Sequence, residues 1–331
     1  MGNTLERLER LEKLQNFIGN TPTIRFQCEI NGKNVTVLAK YEANNFTGSI
    51  KDRMAYQIIK AAHMFDKISP GDIIVEATSG NTGISFAAIG AYLGHPVQIY
   101  MPNWLSEERK RLLRFYGADL FEISAKDGGF MECIDLAAKK SKKNGYFCPK
   151  QFDNTWNIMA HQKTTAPELE NTLKSNKLGN LDVFIAGVGT GGTIMGFYHY
   201  FSELLHNKND FKAFPILPDK NEDEGHRIEG IGDSFVPRIL NLKSLGPVLR
   251  VKDSDAINIA RQINKLGLSV GISSGANLFG AIIKASELPA SGNVATVLPD
   301  GNKKYLTTDL CSQSKEPLSE EIKILDYELI S

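Results

Sequence analysis

The chain reads as an α/β protein with mainly parallel sheets flanked by helices, and three observations predict this. Short apolar runs recur along it: DIIVEAT, PVQIYMP, DLFEIS, LDVFIAG, KAFPILP and NVATVLP. Helix-periodic segments separate them, at 82–93, 106–116, 128–142, 193–206 and 254–266. Two of the runs end directly in glycine-containing loops, where open α/β sheets expose their ligand crevice.

The opening MGNTLERLERLEKLQNF sets Leu5, Leu8, Leu11 and Leu14 among charges. It predicts an amphipathic helix over 1–14 whose leucines need a partner surface, a second subunit being one candidate. Two strands follow, TIRFQCEI and VTVLAKYE, joined by Asn31-Gly32, a dipeptide suited to a type I′ turn. Ser49 and Asp52, three apart, predict a capping box that opens the helix RMAYQIIKAAHMF and puts Lys51 in its first turn. From there the alternating pattern predicts a smaller, mobile α/β domain at 45–155 and a larger one built from 15–44 plus 156–331. The lysine-rich AAKKSKKNG at 137–145 reads as a solvated helix end, and the polar tail from about Cys311 carries no clear pattern.

The 331 residues include 38 basic and 38 acidic side chains, so a formal net charge of zero favours neither nucleic acid nor an anionic membrane. A small diffusible ligand fits better. No apolar run approaches membrane-spanning length, and the charged start, with Glu6 breaking a myristoylation pattern, predicts a cytoplasmic protein. Cys28, Cys133, Cys148 and Cys311 lack CxxC spacing and the histidines make no HExxH, so no metal is expected and the cysteines read as reduced.

Lys51 is the residue that asks for an explanation. A cation in a first helical turn opposes the macrodipole, at a cost of roughly 0.3–1 kcal/mol. The same field disfavours the charged form, and burial in a crevice would add to it, leaving an amine able to form a Schiff base. A solvated lysine beside an exposed cap is the plain alternative. Two loops favour the chemical reading. LDVFIAGVGTGGTIMGFYHYF runs strand, glycine loop, helix, so backbone N–H groups of Gly189 to Thr193 and two threonine hydroxyls can surround a phosphate. Its glycines also satisfy GxGxxG, and they could serve a tight turn alone. EATSGNTG at 76–83 gathers Thr78, Ser79, Asn81 and Thr82 at a helix start, a set that can hold a carboxylate or merely cap. An activated lysine, a phosphate loop and a carboxylate loop together point to pyridoxal phosphate acting on a small amino acid.

At this point six ordered segments, NNFTGSIKDR, EATSGNTG, KQFDN with HQKTTAPEL behind it, GVGTGGT, EGIGDSFVP and GISSGAN, resemble the cysteine synthase (O-acetylserine sulfhydrylase) and cystathionine β-synthase family. The resemblance spans roughly residues 15–310 and implies a fold-type II, tryptophan synthase β-like enzyme and a homodimer. It implies Lys51 as the Schiff-base lysine and general base, Asn81 on the cofactor's phenolic oxygen, Gly189, Thr190, Gly191, Gly192 and Thr193 around its phosphate, and Ser273 at its pyridine nitrogen. Thr78, Ser79, Thr82 and Gln151, together with Asn81, match the substrate-binding set. The implied reaction is β-elimination and β-replacement through an α-aminoacrylate.

Three positions depart from the family pattern: Asn45 replaces a usual proline, Ala166 a usual glycine, and Asp233 a small or aromatic residue in a loop that the resemblance implies faces the reacting carbon. A carboxylate there would repel hydrosulfide and could deprotonate water or pair with an incoming ammonium. The expected reaction is therefore release of hydrogen sulfide from L-cysteine with addition of water, giving serine, or of a second cysteine, giving lanthionine, with Asp233 as a second catalytic residue. The alternatives are cysteine synthesis from O-acetylserine and sulfide, and a nicotinamide-dependent dehydrogenase built on Gly187, Gly189 and Gly192. The latter lacks an acid at the right distance and leaves Lys51 without a role.

Overall fold

The structure, a computed structural model, describes residues 4–204, 211–219, 226–232, 235–312 and 317–330. Its elements in chain order are α1 (Thr4–Leu14), β1 (Thr23–Ile30), β2 (Lys33–Tyr41), α2 (Lys51–Met64), β3 (Ile73–Ala77), α3 (Asn81–Leu93) and β4 (Val97–Pro102). Then come α4 (Glu107–Phe115), β5 (Asp119–Ile123), α5 (Gly129–Lys140), β6 (Tyr146–Phe147), α6 (Thr155–Ala160), α7 (Ala166–Ser175), β7 (Val183–Gly187), α8 (Gly192–Leu204) and β8 (Lys212–Pro218). The chain closes with β9 (Leu249–Val251), α9 (Asp253–Lys265), α10 (Ile272–Glu287), β10 (Val294–Leu298) and β11 (Ile322–Leu329).

The chain divides into two compact units, residues 1–19 with 45–157, and 20–44 with 158–331. In the first unit, four parallel strands run in the order β5-β4-β3-β6 among the described residues. Its main core packs α1, α2 and α3 through Leu11, Leu14, Met54, Ile58, Ile84 and Phe86. The leucines of α1 therefore find part of their partner inside this unit: Leu11 and Leu14 are buried against it, while Leu5 stays 63% exposed. Asn45, where the family pattern has proline, accepts the Gly19 N–H at 2.8 Å and fastens the chain that follows α1.

In the second unit the order is β11-β1-β2-β10-β7-β8-β9, antiparallel at the β11-β1-β2 edge and parallel from β2 onward. The hairpin turns at Asn31 and Gly32 with φ of 49° and 78°, the two positive values a type I′ turn requires. The tail that carries no clear pattern in sequence supplies β11, with only Ile322 and Ile324 buried beneath it. Helices α9 and α10 pack so closely that a Cβ on Gly275 would lie 1.9 Å from the Ala256 carbonyl. Both sheets thus present strand C-termini followed by a short loop and a helix, β3 into α3 and β7 into α8. Among the described residues no helix is long and apolar enough to cross a membrane.

Candidate active site

Lys51 opens α2, as the sequence predicts, but the capping box does not form as expected. The helix begins one residue later than a Ser49 cap requires, with Ile50 at the cap position in helical conformation. The Asp52 carboxylate reaches further back, accepting from the Thr47 N–H at 2.7 Å and the Thr47 hydroxyl at 2.6 Å. It also accepts from the Ser85 hydroxyl at 2.7 Å, which itself lies 3.0 Å from the Asn81 carbonyl. One fully buried carboxylate therefore ties the first turn of α2, which carries Lys51, to the first turn of α3, which carries Asn81.

The loop from Thr78 to Thr82 is held from three sides. Thr78 Oγ1 accepts from the Gly80 N–H at 3.0 Å, and the Thr78 N–H donates to the Tyr100 carbonyl at 3.1 Å. Gly80 sits at φ +152°, and a Cβ there would meet the Arg109 side chain at 2.4 Å, so the backbone can approach that buried guanidinium only without a side chain. Thr82 Oγ1 donates to Gln151 Oε1 at 2.7 Å, and Gln151 Nε2 donates to the Ala77 carbonyl at 2.8 Å. The structure thus joins Thr82 and Gln151, 69 residues apart in sequence, in direct contact. Behind them lies Glu76, whose Oε1 accepts from the Ala77 N–H at 2.9 Å and whose Oε2 accepts from the Gln151 N–H at 3.2 Å. Burial pushes its pKa up from the ordinary 4.5 to about 7, against the lowering effect of these N–H donors.

In the second unit the loop after β7 is shaped by close backbone contacts. A Cβ on Gly189 would lie 2.3 Å from the Gly230 carbonyl, and Gly191 has φ +84°. The Gly232 N–H donates to the Val188 carbonyl at 2.8 Å, which seats the EGIG turn against the loop. Thr190 is buried, its Oγ1 3.4 Å from the Gly192 N–H. Thr193 Oγ1 lies 3.3 Å from Nε2 of His161, whose Nδ1 contacts the Thr165 hydroxyl at 2.9 Å. His161 belongs to a π-helical turn, His161–Thr165, and the first atoms a Cβ on Gly196 would strike include the His161 side chain at 2.6 Å. Ala166, where the family pattern has glycine, follows that turn with no exposed surface.

Ser273 lies in the first turn of α10 and is buried. Asn277, one turn on, accepts the Gly187 N–H at 2.7 Å and donates to the Val297 carbonyl at 2.9 Å, clamping α10 to β7 and β10. Asp233 lies outside the described residues.

These features fit pyridoxal phosphate. The Gly189–Thr193 loop is a cradle that side chains would fill, at the N-terminus of a 13-residue helix, which suits a phosphate dianion. Within the first unit, Lys51 could offer an amine, and the 78–82 loop could offer N–H and hydroxyl groups at a helix start. Glu76, Arg109, His161 and Asn277 escape sequence reasoning. Glu76, His161 and Asn277 stand inside the segments EATSGNTG, HQKTTAPEL and GISSGAN without a role of their own there; Arg109 reads as an ordinary residue of a charged amphipathic helix.

Comparison with known proteins agrees with this geometry. The family model described as "Pyridoxal-phosphate dependent enzyme" matches residues 14–300. A cysteine synthase from Staphylococcus aureus is 36% identical over 307 residues, 91% of this chain and 97% of that protein. Cysteine synthase B from Campylobacter jejuni is 41% identical over 303 residues, 90% of this chain and 98% of that protein. The crystal structure of a hydrogen sulfide-producing enzyme from Fusobacterium nucleatum superposes with a TM-score of 0.90 at 42% identity, over 97% of this chain and 99% of that one. An aspartate-to-asparagine mutant of the same enzyme, complexed with an α-aminoacrylate intermediate, gives 0.91. With a lysine-opened helix and a phosphate cradle on one chain, and relatives that match it nearly end to end, the chain belongs to the pyridoxal-phosphate-dependent enzymes of the cysteine synthase family.

Proposed function

We propose that the enzyme takes L-cysteine, expels hydrogen sulfide from Cβ, and adds either water, giving L-serine, or a second cysteine, giving lanthionine. Asp233, in EGIGDSFVP, is the observation that carries this reading. A carboxylate near Cβ disfavours attack by hydrosulfide through like-charge repulsion, and it can take a proton from water or pair with the ammonium of a second cysteine. The Fusobacterium relative named for hydrogen sulfide production, and its aspartate mutant complexed with an aminoacrylate, support the same direction.

When bound, pyridoxal phosphate supplies an aldehyde that captures the substrate nitrogen and a conjugated ring that withdraws electrons from Cα. The chain's residues do the rest. Lys51 Nζ anchors the cofactor and is the base that takes the Cα proton and later returns it. Gly189, Thr190, Gly191, Gly192 and Thr193 hold the phosphate, and Asn81 bonds the phenolic oxygen. Ser273 offers the ring nitrogen a neutral hydroxyl, which does not stabilise a protonated ring and so favours loss of the β-substituent. Thr78, Ser79, Thr82 and Gln151 bind the substrate carboxylate. The family resemblance supports a homodimer.

Cysteine synthesis from O-acetylserine and sulfide is the second reading, favoured by the names of the Staphylococcus and Campylobacter relatives. The Asp233→Ala variant separates the two. It should lower sulfide release from L-cysteine by about 10²-fold, the usual scale of general acid–base catalysis, while still loading cofactor. Unchanged sulfide release would remove Asp233 from the reaction.

A further inference from the structure

We propose that Glu76 is a positioning residue for the substrate: its ionised carboxylate fixes the backbone at Ala77 and Gln151 and so aims Gln151 and Thr82 at the carboxylate of an α-amino acid. The inference rests on the assignment of Thr82 and Gln151 to carboxylate binding made above.

The geometry is a chain of contacts within one unit. Glu76 is 3% exposed at the end of β3, and it divides its two oxygens between the Ala77 N–H, which enters the loop, and the Gln151 N–H, 75 residues away. The Lys150 backbone also lowers the pKa of the same carboxylate, and Lys150 holds φ +53°, a left-handed conformation uncommon outside glycine. The main chain at 150–151 is thus bent so that its donors face Glu76. Gln151 is fixed at three other points. Its own carbonyl accepts from Asn157 Nδ2 at 2.9 Å, its Oε1 takes the Thr82 hydroxyl proton, and one Nε2 hydrogen goes to the Ala77 carbonyl. The Thr82 bond sets the amide's orientation, and the second Nε2 hydrogen remains for an acceptor.

A neutral side chain would be the cheaper occupant of such a place, because a buried carboxylate is costly unless N–H groups surround it. The ionised form accepts at both oxygens. The protonated form must turn an O–H toward one of those donors and lose that bond. The charged and titratable groups that act on this site are Asp153, Lys150 and the buried thiol of Cys148, all on the segment after β6. Burial raises the Glu76 pKa to about 7, with Asp153 adding to the rise, so the grip loosens as pH falls through neutrality.

L-Alanine is a suitable probe because it has the α-carboxylate and no β leaving group; ethylamine lacks the carboxylate. Both are titrated into the cofactor-loaded enzyme and followed by cofactor absorbance. The wild type should bind L-alanine more tightly than ethylamine, with an apparent Kd for alanine that rises, by at most about tenfold per pH unit, below about pH 7. Glu76→Gln should weaken L-alanine roughly tenfold at pH 8, leave ethylamine unchanged, and flatten the step near neutrality relative to wild type. Equal alanine affinity and the same pH step in both proteins would overturn the proposal, as would tighter binding in Glu76→Gln, the sign expected if repulsion between two carboxylates dominated. The wild-type ratio of alanine to ethylamine affinity, in which the ionisation of the two amines cancels, stands as a test even if the variant does not fold: it should fall below about pH 7, and a ratio independent of pH would overturn the proposal. A wild type indifferent between alanine and ethylamine would instead refute the carboxylate-binding assignment on which the proposal rests.

Discussion

At Lys51 the sequence shows its chemistry most openly, because a cation in a first helical turn contradicts local electrostatics and so needs a ligand to explain it. Lys51→Ala should remove the visible absorbance of the bound cofactor and turnover with it; retention of both would end the account at its first residue. The glycines are legible for a related reason. Gly189 and Gly191 stand in a strand-to-helix loop, and the structure adds what no motif states, a Gly230 carbonyl 2.3 Å from where a Cβ on Gly189 would be. Gly189→Ala should therefore cost about 1–3 kcal/mol, shared between stability and cofactor affinity, which cofactor release on dialysis and thermal unfolding can measure. The roles of Glu76 and Arg109 were illegible because they come from partners distant in sequence: Gln151 for the one, the backbone of Gly80 for the other.

Among the elements, α3, α8 and α9 of the helices and β1 and β7 of the strands match their expected spans to within a few residues. The start of α2 shows where local rules give way. Ser49 and Asp52 have capping-box spacing, yet Asp52 is drawn to Thr47 and Ser85 because a buried carboxylate gains more from those donors than from one backbone N–H. Strand β11 was hidden because an edge strand with two buried isoleucines leaves little alternation to detect. Helix α10 carries the GISSGAN motif, and Asn277 in it joins two strands. Asn277→Ala should destabilise the second unit by about 1–3 kcal/mol, since it strands the half-buried Gly187 N–H and the buried Val297 carbonyl. An unchanged denaturation midpoint would show that water replaces both bonds.

Across the whole molecule, two buried groups set opposing responses to pH. Glu76 has a folded pKa of about 7, above its unfolded 4.5, so the stability it contributes is full at low pH and is lost as pH rises from 4.5 through 7. His63 has a folded pKa of about 4, below its unfolded 6.5, chiefly through burial and also through His95 and Arg7 beside it. It contributes stability above 6.5 that is lost as pH falls toward 4. Between about pH 4.5 and 6.5 the two offset each other. Glu76→Gln removes one side, so its unfolding midpoint should fall more steeply on acidification than that of the wild type, as denaturant titrations at several pH values would show; parallel curves would deny the offset.

The central claim, that this member of the cysteine synthase family consumes cysteine and releases sulfide, is tested most directly by giving the cofactor-loaded enzyme L-cysteine with no other acceptor and assaying sulfide, serine and lanthionine together. Sulfide should appear in equal amount to the sum of serine and lanthionine, with cysteine loss closing the balance. No sulfide from cysteine, alongside rapid formation of cysteine from O-acetylserine and sulfide, would contradict it.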